Sequence, residues 1–378
     1  MKIAVLNRVF ASTGGGAERY SMALVEQLAA HHEIHVFAQE IGHQWPRVRY
    51  HRVSLPFTRP RWLNQLWYAC ITWMQTRKGF DIVHSHENVW HGNVQTIHVK
   101  TVSRSRFGDR KGLPLVRRLI STGFSARLIT YLLFERARMR VRDSRAVVAV
   151  SDSLRKELVE EYPESRKMLY VISPGVYLPD QYIGKSDARK ALGMEKDGSL
   201  LLFIAKDYAR KGLNAILQAL RDMPPDVRLI VIGNTAQIFR FRTEAVTLGV
   251  HSRVHFLGVL EHINLAYQAA DILVHPTLED SFGMVVLEAM AYRLPVIVSD
   301  RKYCGASALL TDRVHALLLA DPQNVCMLKK SVMCILDSIE LSNRLRDNGF
   351  CLAQKHSWQA TAMAYDEIYK KVCVGQQT

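Results

Sequence analysis

Cysteines are few and far apart in this 378-residue chain. The six of them (Cys70, Cys304, Cys326, Cys334, Cys351 and Cys373) include no Cys-x-x-Cys pair. That argues against a zinc ribbon or a compact disulfide framework and predicts reduced thiols. Long apolar runs are missing as well. No stretch approaches the roughly 20 residues that a membrane-spanning helix needs. The early run Ile3-Ala4-Val5-Leu6 is cut by Asn7 and Arg8, too soon for the core of a secretory signal. A cytoplasmic protein is therefore expected. Acidic residues are in deficit: 35 Asp and Glu against 50 Lys and Arg leave a formal net charge of +15. Such an excess predicts a partner rich in negative charge, and nucleic acid, an anionic membrane surface and phosphorylated substrates all qualify. The rest is ordinary. With 48% hydrophobic and 22% charged residues the chain has a globular composition, and its length predicts two domains.

Short apolar runs alternate with helical stretches along the first half. Lys2–Asn7, Glu33–Ala38, Arg49–Leu55, Asp81–His84, Val94–His98 and Ala146–Ser151 read as strands, and the alternation predicts an open, largely parallel sheet covered by helices. Ligands of such sheets bind beyond the carboxyl ends of the strands, which draws attention to His98, with His84 and His86 nearby in sequence. A metal site built from His84, His86 and His91 finds no fourth ligand at a telling spacing. After the first strand, Thr13-Gly14-Gly15-Gly16 leads into a helix over 17–30, a glycine loop of the kind that cradles phosphate. The dinucleotide fingerprint fails, because Arg19 stands where its third glycine belongs. The segment from Lys100 to Arg142 holds twelve basic residues against Asp109 and Glu135, interleaved with Leu113, Leu115, Phe124 and the run Leu128–Phe134. Basic and apolar residues in alternation suit an anionic lipid interface. No nucleic-acid-binding motif accompanies them.

Ser151–Tyr162 has N-cap chemistry and helical periodicity, and the irregular stretch from Ile172 through Pro174-Gly175 to Lys185 reads as a linker. Beyond it, the apolar run from Leu200 delivers Lys206, Arg210 and Lys211 to a strand end, and a helix over 213–223 follows. Cations so placed suit a diphosphate. Val227–Gly233, Arg253–Gly258, Asp271–His275 and Pro295–Ser299 complete a second set of strands. After His275 come Glu279, Asp280, Phe282 and Gly283, then the apolar helix that begins with Met284. Its N-terminus favours an anion. Glu288, a carboxylate on that buried helix, requires a cation or a ligand hydroxyl group.

Asp280-Ser-Phe282-Gly283-x4-Glu288 resembles the donor-site motif of the retaining glycosyltransferases of family 4, with Asp280 where glutamate is usual. Val94-x-Thr96-x-His98, Pro174-Gly175-Val176, Lys211-Gly212 and Gly258-Val259 resemble further family signatures, although Ala205-Lys206 replaces an expected Gly-Arg. The resemblance implies an α/β, GT-B fold: two doubly wound Rossmann-like domains facing a cleft, with the C-terminal helix crossing back to the first. It places an acceptor-binding domain over 1–173, a nucleotide-sugar-binding domain over 186–355 and the returning helix over 356–378. It also implies transfer of a hexose from a nucleotide-diphosphate sugar, a UDP-sugar being favoured, with retention. His98, Asp280, Arg210 and Lys211 become the candidate catalytic residues. Gly15, Gly16, Lys206, Arg210, Lys211, Val259, Glu279, Asp280, Phe282, Gly283, Met284 and Glu288 become candidates for donor binding, with Glu288 on the ribose. Either Glu279 or Asp280 would meet the sugar. No Asp-x-Asp occurs, so no metal and no cofactor are expected.

The Phe-Gly-x4-Glu spacing, the Arg210-Lys211-Gly212 turn and the basic first half are most similar to the bacterial lipopolysaccharide-core hexosyltransferases. The expected acceptor is a lipid-linked saccharide, met at the inner face of the cytoplasmic membrane by a peripheral enzyme, with no nucleic-acid partner. An epimerase or phosphorylase of the same fold, a transferase of another polysaccharide or glycolipid pathway, and a non-enzymatic basic membrane- or nucleic-acid-binding protein are the competing readings.

Overall fold

Residues 1–11, 15–108, 122–123, 125–195 and 197–375 are described by the structure, a computed structural model. The chain divides into two compact units, Met1–Pro174 with Trp358–Thr378, and Gly175–Ser357.

The first unit contains β1 (Lys2–Leu6), β2 (Val9–Phe10), β3 (Glu33–Ala38), β4 (Glu40–Ile41), β5 (Val48–Arg52), β6 (Ile82–Ser85), β7 (Val94–Ile97), β8 (Ala146–Ala149) and β9 (Leu169–Val171). Seven of these form one parallel sheet in the order β5-β3-β1-β6-β7-β8-β9. Strands β1 and β8 are buried almost throughout, which is why they read as continuous apolar runs; β7 is buried too but carries the polar Gln95 and Thr96. The strand expected over 49–55 lies at Val48–Arg52; Pro56, with no N–H to give a ladder, follows soon after. His98 falls one residue beyond β7.

The helix Trp358–Val374 belongs to this first unit and packs on the helix Gly16–Leu28. Polar atoms fasten it. Tyr369 Oη lies 2.8 Å from His84 Nδ1, Tyr365 Oη lies 2.7 Å from Thr96 Oγ1, and Tyr20 donates to Tyr365 at 2.9 Å. Buried hydroxyls left unpaired would cost about 1–3 kcal/mol each, so these bonds select the helix's register as well as its place.

The basic segment is less free than its composition suggests. Residues 109–121 and 124 lie outside the described residues. Of the others, Arg138 is buried and donates to Thr96 O at 3.2 Å. Lys100 and Arg104 pair with Glu157 and Glu160, each at 3.4 Å, and Arg106 donates to Thr122 Oγ1. These four are therefore at least partly structural. The helix Ala126–Met139, capped by Ser125, nevertheless leaves Ile129 and Leu133 exposed, with Arg127, Arg136 and Arg140 exposed on the same helix or at its end.

The second unit holds β10 (Ser199–Ala205), β11 (Val227–Gly233), β12 (Val254–Gly258), β13 (Ile272–His275), β14 (Val296–Ser299) and β15 (Leu317–Leu319). They pair in parallel in the order β12-β11-β10-β13-β14-β15. Counting from β10, this is the 3-2-1-4-5-6 order of doubly wound dinucleotide-binding folds. Its core gathers Leu201, Phe203, Leu217, Leu229 and Leu345, all fully buried. Burying each such side chain stabilises the fold by roughly 1.5–3 kcal/mol.

Candidate functional site

In the second sheet β10 and β13 are neighbours, yet their crossovers lead to opposite sides of the sheet. That topological switch point opens a crevice at the carboxyl edge. Two loops occupy it, Lys206–Gly212 after β10 and Pro276–Gly283 after β13. Leu278 N–H donates to Arg210 O at 2.9 Å, tying one to the other. Their approach explains the Lys211-Gly212 pair. At φ +87° Gly212 is left-handed, and a Cβ there would lie 2.0 Å from Pro276 O. Only glycine fits.

The loops bring Lys211 and Asp280 together. Lys211 Nζ lies 2.6 Å from Asp280 Oδ2 and also donates to Glu279 O at 2.8 Å. An ammonium has three N–H groups, so the third is left for an incoming oxygen. Asp280 Oδ2 also meets His275 Nε2 at 3.1 Å, and its Oδ1 accepts from Phe282 N–H at 3.3 Å. Burial opposes ionisation of Asp280, but the His275 hydrogen bond and the Lys211 charge outweigh it and hold the carboxyl well below the usual range. Burial lowers the His275 pKa despite Asp280. The histidine is therefore neutral, its Nε2–H turned to the carboxylate, and Nδ1 has no hydrogen-bond partner. Both Asp280 oxygens are thus engaged by the protein, and the residue orients Lys211.

Gly283 begins the next helix, Met284–Ala291, at φ +90° with no side-chain cap. A Cβ there would lie 2.8 Å from Cys304 Sγ. The Cys304 thiol donates to Phe282 O at 3.1 Å, and burial, aided by Asp280, pushes its pKa up to about 12. It is a packing group, not a thiolate nucleophile. The helix Leu213–Arg221 also starts from a left-handed glycine, Gly212, without a side-chain cap. Two helix N-termini of this kind beside Lys211 make the crevice electropositive.

Glu288 was expected to find a cation or a ligand hydroxyl. Its Oε2 accepts from the Tyr267 phenol at 2.6 Å, and the Tyr267 ring stacks on Tyr292. This holds the carboxylate half-buried. Phe282 is buried, Met284 and Glu279 are half-buried, and Lys206, Arg210 and Val259 are exposed. Arg210 lies 3.7 Å from Asp207. His275 and Tyr267 were not among the candidates. His275 carries the same signal as His98, a histidine ending an apolar strand.

The other candidates lie in the first unit. Gly15 and Gly16 start the helix Gly16–Leu28, again without a side-chain cap; Gly14 lies outside the described residues. His98 Nε2 is 2.9 Å from His86 Nδ1, and its ring meets the edge of Tyr20. Burial, then Arg138, lowers its pKa to about 3, so it is a neutral hydrogen-bonding group. His84 is engaged at both nitrogens by Tyr369 and Thr96. Among the described residues no group of three His, Cys, Asp or Glu could hold a metal ion.

The signature of Glycosyltransferase Family 4 matches residues 14–178, and that of Glycosyl transferases group 1 matches residues 184–351. The chain belongs to glycosyltransferase family 4. Among curated members, the lipopolysaccharide glucosyltransferase WaaG of Escherichia coli K12 is 28% identical over 53% of this chain and 56% of its own length. A D-inositol 3-phosphate glycosyltransferase of Xylanimonas cellulosilytica is 28% identical over 61% of this chain and 59% of its own. The chain thus spans less than two thirds of these relatives. A crystal structure of WaaG, described as involved in lipopolysaccharide biosynthesis, superposes with a TM-score of 0.83 at 22% identity, covering 97% of this chain and 99% of that one. Anabaena HepE, solved with UDP and glucose, gives 0.77 at 17% identity, covering 98% and 99%. These likenesses show the GT-B fold of this family 4 chain.

Proposed function

We propose that this family 4 protein is a retaining, metal-independent hexosyltransferase that takes its sugar from a nucleotide diphosphate, UDP being favoured. The observation that carries the reading is Lys211. It is a cation fixed by Asp280 and Glu279 O beside two uncapped helix N-termini, with an N–H to spare. In the proposed reaction the bond from the anomeric carbon to the diphosphate oxygen breaks. A bond to an acceptor hydroxyl oxygen forms on the same face, and the hydroxyl proton leaves with the diphosphate. Negative charge grows on the departing oxygen, where preorganised positive partners lower the barrier most. Glu288, steadied by Tyr267, would accept from ribose hydroxyls. The UDP-bound relative HepE supports the choice of nucleotide. Binding and slow hydrolysis across UDP-, GDP-, ADP- and dTDP-sugars, with and without chelator, test the reading. Selective use of UDP-sugars, unchanged by chelator, is expected. Abolition of turnover by chelator would remove the metal-independent part, and failure to bind any of the four classes would remove the whole.

The proposed acceptor is a lipid-linked saccharide of the lipopolysaccharide-core kind, bound by the first unit at the inner membrane face. Three features support it: the net charge of +15, the likeness to WaaG, and exposed Ile129 and Leu133 beside Arg127, Arg136 and Arg140. Co-sedimentation with anionic vesicles should fall as salt rises, since the Debye length contracts from about 10 Å at 0.1 M to about 3 Å at 1 M. Equal binding to neutral vesicles would contradict an electrostatic docking surface.

A further inference from the structure

Strands β6 and β7 are parallel neighbours, and each is followed by a histidine at the carboxyl edge of the first sheet. His86 follows β6, held by its N–H to Leu6 O at 3.0 Å, and His98 follows β7. The neighbouring strand ends bring the two rings together. His86 Nδ1 lies 2.9 Å from His98 Nε2, and the rings are inclined by 21° with centroids 5.2 Å apart. Rings nearly in one plane and joined nitrogen to nitrogen aim an N–H of one at a lone pair of the other.

The direction of that bond follows from what lies behind it. Burial lowers the pKa of both rings, with Arg138 adding to it, that of His98 to about 3. At neutral pH both rings are therefore uncharged, and each carries a single N–H. Two arrangements exist. If His98 donates, His86 must carry its own proton on Nε2; if His86 donates, its Nε2 is a bare lone pair. His86 Nε2 is closed off from solvent and has no hydrogen-bond partner. Among backbone groups a buried N–H with nothing to accept it is rarer than an unused acceptor, and the same asymmetry favours the bare lone pair here. His86 is then the donor.

This decides what His98 offers. Its Nε2 is taken up as an acceptor, so its one proton is on Nδ1, because the bond made by one ring nitrogen sets the state of the other. His98 is half-buried, and its Nδ1 has no hydrogen-bond partner among the described residues and, unlike His86 Nε2, is not closed off. Tyr20 steadies the ring from another side, with centroids 4.9 Å apart at 72°. Tyr20 is itself tied to Tyr365 at 2.9 Å and set edge-on against Trp358.

We propose that His86 is a positioning residue for His98: it donates its Nδ1–H to His98 Nε2 and so fixes His98 as an Nδ1–H donor to an oxygen of the bound sugar substrate. The substrate in this inference rests on the transferase reading; the placement of the proton does not. A ring in this state has no free lone pair, so His98 orients the substrate and takes no proton from the attacking hydroxyl. That proton leaves with the diphosphate.

Proton–nitrogen correlation spectra of the full chain, with isotope-labelled histidine, read the proton directly, and His98→Gln assigns the His98 signals by their loss. At neutral pH His98 should show a protonated Nδ1 and a bare Nε2. His86→Leu should abolish this preference and lower kcat/KM for the preferred sugar nucleotide by about tenfold, the usual worth of one oriented hydrogen bond. His86→Asn, whose amide N–H can stand where the Nδ1–H was, should restore the protonated Nδ1 and most of the turnover. A purely structural role would give no such rescue, and the melting temperatures of the two variants separate folding from positioning. A protonated Nε2 on His98 in the unaltered chain, wild-type kcat/KM in His86→Leu, or His86→Asn no better than His86→Leu would each overturn the proposal. Use of no sugar nucleotide by a chain whose His98 holds its proton on Nδ1 would count against the transferase reading and for the fixed proton.

Discussion

Replacing Lys211 with alanine should lower turnover of the preferred sugar nucleotide by about 10²–10³-fold, the usual effect of removing one preorganised donor from a site where charge develops. The loss has two parts. The departing diphosphate loses its fixed cation, and Asp280 loses the partner that balances its charge. Lys211 and Asp280 are 14% and 19% exposed, so the carboxylate left behind is costly, and destabilisation of up to about 3–5 kcal/mol is expected for breaking such a pair. Turnover should therefore be compared with the melting temperature of the same variant. Lys211→Arg restores charge but not the compact three-donor head, and should recover stability better than turnover. Wild-type turnover in Lys211→Ala would remove the site assignment.

Acidification should unfold the first unit before the second. His84, His86, His91 and His98 all have lowered pKa values, with burial the largest cause; those of His84 and His98 lie at about 3 and that of His91 at about 4. In the unfolded chain each titrates near 6.5. Between those values the unfolded state holds the extra protons, so stability is complete above about pH 6.5 and falls as pH drops. Each histidine contributes a slope of about 1.4 kcal/mol per pH unit. Over two units, His84, His91 and His98 together reach about 8 kcal/mol, comparable to the whole stability of a typical domain at about 5–15 kcal/mol. The second unit has one fully buried histidine of this kind among its described residues, His275. All six tryptophans (Trp45, Trp62, Trp67, Trp73, Trp90 and Trp358) lie in the first unit, so their fluorescence follows that unit alone. A fluorescence transition between about pH 6 and 4, while far-UV ellipticity retains a large share, is the expected result. A flat fluorescence signal down to pH 4 would contradict the buried-histidine account.

Much of the fold was legible because period and composition agree in its core elements. Glu33–Ala38 and Val227–Gly233 are largely apolar strands, interrupted only by His35 and Arg228 between polar or glycine ends, and Ser151 announces its helix by capping it at Leu154 N–H. Strand β15 was not legible. Three leucines in a row fit helix or strand equally, and its partner β14 decides the matter. At the site, Lys211, Asp280 and Gly283 stand out singly in the sequence. Their relation does not, because residues far apart in the chain meet only through the strand order. The Tyr267 contact to Glu288 was hidden for the same reason, since Tyr267 looks like any apolar residue of a short helix. The Lys100–Arg142 segment misled by composition: charge count cannot separate Arg138, buried on Thr96 O, from Arg140, which faces water.

The helix Trp358–Val374 has a consequence for the order of synthesis. Tyr365 and Tyr369, which satisfy Thr96 and His84, leave the ribosome only after the whole of Gly175–Ser357 has been made. The first unit, begun first, is thus finished last, and while its companion is being translated His84 and Thr96 have each other but lack their tyrosine partners. The second unit suffers no such delay. Val176 and Ser357 pair beside each other at its two ends, so its beginning and end meet without help from the rest of the chain. A nascent chain halted near residue 357 would carry a complete second unit and a first unit still waiting for its closing helix.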